Sequence, residues 1–156
     1  MFRLLFSLIA SLTVGLALAA CAPGQTEAAP PEIRYGETIC AECNMIISDP
    51  RYAAGLAHEI EPGRYESIAF DDIGDMLNHV KKNPDRQVVA WYAHDFDSEE
   101  WIDATQASFV VSPQIKSPMA SGTAAFADRA GAERLAAEVS GEMLTWDELR
   151  ARYELE

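Results

Sequence analysis

Residues 52 to 84 constrain the fold more than any other part of the chain. The runs YAAGLAHEI and RYESIAF are strand-like and are separated by Glu61-Pro62-Gly63, a turn that only an antiparallel hairpin needs. Immediately afterwards comes DDIGDMLNHVKKNP, where Ile73, Met76, Leu77 and Val80 fall at i, i+3, i+4 and i+7. Aspartates precede this stripe, Lys81-Lys82 end it and Pro84 follows, so the spacing predicts a helix with charges matched to its dipole. The order is strand, strand, helix.

The same order recurs further on. QVVAWYAHDF and EWIDATQASFVV are strand-like around an acidic turn near Asp97 to Glu100. A loop, SPQIKSPMASG, then leads to a helix from about Asp128 that carries Ala132, Leu135, Ala136 and Val139 on one face, with Gly141 expected just past its end. Finally TWDELRARY places Thr145 and Glu148 in capping-box register, with Trp146, Leu149 and Tyr153 as the buried side of a closing helix. Two strand–strand–helix units and a C-terminal helix make an α+β domain and disfavour a doubly wound parallel sheet, whose strands and helices would alternate. The two halves match in order but not residue by residue, so sequence alone leaves a pseudo-repeat open.

The N-terminus reads differently. Arg3 opens a short basic start, an apolar run extends from Leu4 to about Leu18, and Leu18-Ala19-Ala20-Cys21 closes it. This is the pattern of a secretory signal over residues 1–20, in its lipoprotein form, with Cys21 as the lipidated first residue of the mature chain. Residues 21–32, with three prolines and no aromatic side chain, read as a flexible tether to the membrane. Residues 33–156 then form one unit of ordinary single-domain size. An exported, lipid-anchored chain belongs on the periplasmic face of a cell envelope, and Ala22 after the anchor is compatible with outer-membrane sorting.

Acidic groups outnumber basic ones 25 to 12, and no basic cluster exists beyond Lys81-Lys82. A nucleic-acid partner is excluded on that ground, since phosphate contacts need a basic face.

Removing Cys21 leaves Cys40 and Cys43 as the thiols of the exported domain, within TICAECNMIISDPRY. An oxidising compartment makes a disulfide the default for such a pair. A bridge across two intervening residues closes so small a loop that it contributes little through chain entropy, so a structural staple is a poor reason for the motif. A structural zinc site wants four ligands. Here one cysteine pair stands with His58, His79 and His94 scattered; His79 falls off the apolar stripe of its helix and reads as a surface residue, while His58 and His94 are open either way. Covalent haem needs a histidine where Asn44 stands. A thiol–disulfide oxidoreductase is the sharper alternative, but its cysteines normally sit at a helix N-terminus, and NMIISDPRY has no helical phase before Pro50.

Met45 shifts the balance. A lone methionine ahead of Ile46-Ile47 would be core; next to two thiols it completes a soft donor set of the kind that selects Cu(I). Asn44 tolerates positive φ, and such a turn would aim Cys43 and Met45 together. Met76 and Met143 lie at apolar helical or strand-like positions, whereas Met119, in KSPMASG, is presented by a loop.

Taken together, the lipobox, the proline-rich tether, Cys-x-x-Cys-x-Met, the late Pro118-Met119 and the C-terminal AAFADRAGAERLAAEVSGEMLTWDEL resemble the NosL family, copper lipoproteins of nitrous oxide reductase maturation. The resemblance covers essentially the whole mature chain. It implies a fold of two strand–strand–helix units and a non-enzymatic Cu(I) carrier that supplies the membrane-transporter machinery assembling the reductase's copper–sulfide centre. By position it implies Cys43, Met45 and Met119 as copper ligands, with Cys40 as the first cysteine of the motif. Two residues depart from the family pattern: Asn44 and Ala120 stand where glycine is common.

Overall fold

The structure, a computed structural model, describes residues 25–155; the signal segment and Cys21 lie outside the described residues. It is α+β, as expected. Strand β1 (Ala54–Glu61) pairs antiparallel with β2 (Arg64–Phe70), with Leu56 opposite Ile68 and Ala54 opposite Phe70. Helix α1 (Ile73–Lys82) follows, capped by the Asp72 carboxylate, which accepts the Gly74 N–H at 2.7 Å. Its Ile73, Met76 and Leu77 are buried together with Leu56 and Phe70. Each such side chain contributes about 1.5–3 kcal/mol through its removal from water.

Strand β3 (Val88–His94) then returns to the other side of β1, and the short β4 (Trp101–Asp103) pairs with β3, giving the sheet order β2-β1-β3-β4. The second sheet runs β6-β5-β7, from β5 (Ser108–Val111), β6 (Thr123–Phe126) and β7 (Glu142–Leu144), with α2 (Arg129–Val139) between β6 and β7. Both units therefore follow one path: a central strand, an antiparallel neighbour, a helix, and a third strand on the free side of the first. The duplication is present in the topology, but in a different phase from the sequence reading. Gln87 to Phe96 closes the first sheet instead of opening the second unit, and the run from Glu100 to Val111 is split between sheets by a 3-10 turn at Ala104–Gln106. β-Propensity marks a segment as strand without saying which neighbour it will find.

The closing helix α3 (Trp146–Arg152) has the expected capping box at Thr145 and Glu148. Its buried Trp146 packs against Trp91 of β3 at 5.1 Å and Phe109 of β5 at 5.9 Å between ring centroids, so one aromatic residue joins the two sheets. α2 ends one residue earlier than expected, with Ser140 in the left-handed conformation (φ 49°) and the Gly141 N–H donating to the Ala136 carbonyl at 2.8 Å.

Part of the segment read as a tether is docked on the fold. Gln25 forms a two-way backbone bridge with Tyr65, Ser67 Oγ donates to the Ala29 carbonyl at 2.6 Å, and Pro31 is buried against Gly55 so closely that a Cβ there would lie 2.5 Å from the ring. From Gln25 onward the segment is thus docked on the sheet, because its prolines supply apolar surface and its backbone finds partners along β2. Among the described residues no helix is long and apolar enough to cross a membrane.

Candidate metal centre

The two cysteines sit on a small hairpin closed by Ile39 opposite Ile46, with the Cys40 N–H donating to the Met45 carbonyl at 2.8 Å and the Ile47 N–H to the Thr38 carbonyl at 2.9 Å. Inside it the chain makes one tight turn, in which the Asn44 N–H reaches the Cys40 carbonyl at 3.1 Å and Asn44 takes φ 60°. That turn brings the Cys43 N–H to 3.5 Å from Cys40 Sγ and places both sulfurs on one side. Both cysteines are free thiols.

The hairpin lies along α1. The Ala41 N–H donates to the Ala69 carbonyl at 3.0 Å at the end of β2, and the Ser48 N–H to Asp71 Oδ1 at 3.1 Å. Cys40 Sγ donates to Asp75 Oδ2 at 3.4 Å, and Glu42 Oε2 lies 3.2 Å from His79 Nδ1. Asp71, Asp75 and His79 are spaced four apart, so a single face at and beyond the start of α1 meets the whole loop. Cys40 is fully buried in the main core, whereas Cys43 is only partly buried.

Cys40, Cys43 and Asp75 bring their three donor atoms within 4.8 Å of one another. The Cys43 thiol is pushed up to about 12, first by desolvation, then by hydrogen bonds to Asp75 and Cys40 that favour its protonated form. Burial also raises Asp71, against the opposing hydrogen bond from Ser48. Burial and these hydrogen bonds thus favour the protonated form of the outer thiol.

Met119 arrives from the other unit, on the loop between β5 and β6. Its N–H donates to Asp72 Oδ2 at 3.3 Å, so the carboxylate that caps α1 also pins this loop. The approach is close: a Cβ at Gly74 would lie 2.6 Å from Ser121 Cβ and 2.7 Å from Tyr153 Oη. Ala120, following Met119, takes φ 59°. Asn44 and Ala120 are thus both left-handed. Met45 and Met119 are 56% and 37% exposed, so neither is a core methionine. Met76 is fully buried and Met143 packs partly buried on the second core, as their positions suggest.

No histidine belongs to the three-donor cluster among the described residues. His58 is buried beside Arg86 and Glu66, with Glu66 at 3.2 Å, and lies on β1 towards its hairpin turn, away from the start of α1. His94 is buried against Trp101 with its Nε2 3.3 Å from Tyr35 Oη. His79 corrects the sequence reading: its side chain is only 12% exposed, held by Glu42 and tilted on Phe70 at 5.2 Å, because the cysteine hairpin covers a helix face that the apolar stripe does not reach. Asp75 was not a sequence candidate, since a carboxylate in a first helical turn is already accounted for by the helix dipole. Its spacing from Asp71 and His79 was the available signal.

No protein of curated function matches this chain in sequence. Its fold is similar to the crystal structure of the copper chaperone NosL from Shewanella denitrificans, with a TM-score of 0.64 and 22% identity over 77% of this chain and 94% of that one. The NosL family model matches residues 33–153, which include both sheets, the cysteine hairpin and the Met119 loop. The chain belongs to the NosL family.

Proposed function

We propose that this chain is a Cu(I) metallochaperone, anchored through lipid on Cys21 at the periplasmic face of the envelope, in the outer membrane. In this reading it hands copper to the transporter machinery that assembles the copper–sulfide centre of nitrous oxide reductase and catalyses no reaction itself. The observation that carries the reading is that the cysteine hairpin, which bears the exposed Met45, and the loop bearing the exposed Met119 both dock at the start of α1, through Asp75 and Asp72 respectively. The donor set fits the cargo: one thiolate balances the single charge of Cu(I), and uncharged thioethers add soft donors without competing for protons. Cys43, Met45 and Met119 would hold the ion, and Cys40 would back the site from the core. An exposed site of few ligands suits transfer, because an incoming donor can bind before the outgoing ligands leave.

The alternative, a thiol–disulfide oxidoreductase, is disfavoured by the same geometry. Its attacking thiol needs a lowered pKa, as at a helix N-terminus, whereas Cys43 lies in a hairpin turn and is raised to about 12. The test is titration of the reduced chain from residue 22 onward with Cu(I) against a competing chelator, alongside Cys43→Ser, Met45→Leu and Met119→Leu. One-to-one binding that weakens in all three supports the chaperone. Failure to compete with the chelator, together with catalytic turnover of a disulfide substrate, would replace it with the oxidoreductase.

A further inference from the structure

A cleft of about 660 Å³ lies outside the metal centre, at the C-terminal end of α1 and the hairpin end of β1. His58, Glu59 and Ile60 form one wall, and Lys82, Asp85 and Arg86, from the end of α1 and the turn after it, form the other. Arg86 is the unusual member. The chain has 25 aspartates and glutamates against 12 lysines and arginines, yet among the described residues no carboxylate pairs with this guanidinium. Its Nε–H is buried without a partner, and its Nη1 donates to His58 Nε2. Glu66 lies 3.2 Å from the His58 imidazole but makes no ion pair with Arg86. His58 is 6% exposed, and burial, then the charge of Arg86, holds its pKa below the ordinary value, so the ring accepts as a neutral imidazole. Histidine thus fixes the guanidinium in place without neutralising it.

An unpaired guanidinium on a cleft wall suits an anion, and its fork of donors matches phosphate oxygens. The other charges of the cleft narrow the choice. Lys82 is held by Glu42, which leaves Arg86 as the unpaired cation of the cleft. Asp85 makes no ion pair among the described residues, and Glu59 accepts the Gly63 N–H at 2.9 Å. A cleft with both signs takes a zwitterion in preference to a bare anion, which a chain of net charge −13 repels. We propose that this cleft binds the phosphoethanolamine headgroup of a phospholipid, with Arg86 donating to the phosphodiester and Asp85 and Glu59 accepting from the ammonium.

The fold puts the cleft where a lipid would be met. Gln25 is bridged to Tyr65, Tyr65 stands opposite Glu59, and the Glu59 N–H donates to the Gln87 carbonyl at 3.0 Å. The docked N-terminal segment and the cleft therefore share one row across the sheet. At about 4.8 Å per strand, Glu59 is about 10 Å and Gln87 about 14 Å from Gln25. Cys21 precedes Gln25 by four residues, so an acyl chain there would bring this end of the sheet to the bilayer. Ile60, 44% exposed on the cleft wall, adds apolar surface for the glycerol region. The metal centre sits at the opposite end of α1, about 15 Å away along the helix. A seated headgroup would fix the domain with its cargo end away from the lipid. That orientation rests on the lipid-anchored reading; the headgroup site itself does not.

The test uses the unlipidated chain from residue 22 onward, with soluble glycerophosphoethanolamine as the probe. In nitrogen-edited proton spectra, saturable binding should move the Arg86 Nε–H downfield and leave the Cys43 and Met119 amides unmoved. Arg86→Gln should weaken binding at least about tenfold, whereas Arg129→Gln, on the exposed side of α2, leaves it unchanged. Glycerophosphocholine, whose ammonium cannot donate, should bind more weakly. An Arg86 Nε–H that ignores the headgroup overturns the proposal in the unaltered chain, without need of a variant. Inorganic phosphate binding as tightly as glycerophosphoethanolamine would overturn it too, by making the cleft a site for a free anion. Vesicles of phosphatidylethanolamine and phosphatidylcholine should retain more of the chain than phosphatidylcholine alone, and equal retention refutes the lipid as source. The mass of the chain recovered from a membrane fraction reports lipid on Cys21 separately, so loss of the anchored reading would leave the headgroup result standing.

Discussion

Replacing Ala120 with glycine should stabilise the protein. Ala120 holds φ 59°, with its N–H donating to the Ser117 carbonyl at 3.0 Å, and its methyl is exposed. An L-residue in the left-handed region costs about 1–2 kcal/mol, because its Cβ crowds the following carbonyl. Glycine escapes that cost but loses more chain entropy on folding, about 0.4–1 kcal/mol. No core packing is lost, so the glycine variant should be ahead by about 0.5–1 kcal/mol, raising Tm by about 2–4 °C for a domain of this size. Thermal unfolding followed by circular dichroism measures the shift, and urea unfolding should show a later midpoint with an unchanged slope. Asn44→Gly is the control: Asn44 also has φ 60°, but asparagine tolerates that region and the gain should be close to nil. A Tm for Ala120→Gly equal to or below that of the parent chain would refute the strain argument. So would an equal gain at both positions.

Gly74→Ala should act in the opposite sense: the new methyl meets Ser121 and Tyr153 well inside contact distance, and an overpacking cost of about 1–3 kcal/mol lowers Tm and loosens the Met119 loop, read as weaker Cu(I) retention. Thr145→Ala removes the side-chain half of the α3 capping box, in which Thr145 Oγ1 accepts the Glu148 N–H at 3.3 Å, and should cost about 1 kcal/mol in urea unfolding. Burial lowers both His58 and His94 from 6.5, so below that pH the unfolded chain takes up their protons more readily than the folded one. Their contribution to stability is therefore complete above about pH 6.5 and is lost as pH falls through the folded values. Urea midpoints at pH 7.5 and 5 measure the slope, and His94→Gln should flatten it.

The elements that sequence revealed are those whose signals are local. The Glu61-Pro62-Gly63 turn, the stripe of α1 and the Thr145–Glu148 box each lie within a few residues, and each is present as read. β6 and β7 were not legible. Thr123–Phe126 is four small or aromatic residues after a loop rich in serine and proline, and Glu142–Leu144 is three residues long; both become strands through pairing with β5. The phase of the duplication was hidden for a similar reason, since β3 is assigned to its sheet by register with β1. At the metal centre, the turn at Asn44 followed from residue type. Asp75 and the pairing of Glu42 with His79 are contacts across more than thirty residues, which spacing along one helix suggests but cannot establish.

In the lipid-anchored reading proposed above, the docking of the N-terminal segment sets how far the domain can search. Counted from composition, the leash between Cys21 and the fold is twelve residues, a reach of about 40 Å when extended. With Gln25 bridged to Tyr65, only four residues run from the proposed anchor position to the docked segment, a span of at most about 14 Å. Accessible volume scales roughly with the cube of reach, so the shorter leash concentrates a lipidated domain more than tenfold near the bilayer. A domain anchored as proposed would be a surface-confined courier: a receiver presented close to the lipid would be met often, and one held far from it scarcely at all.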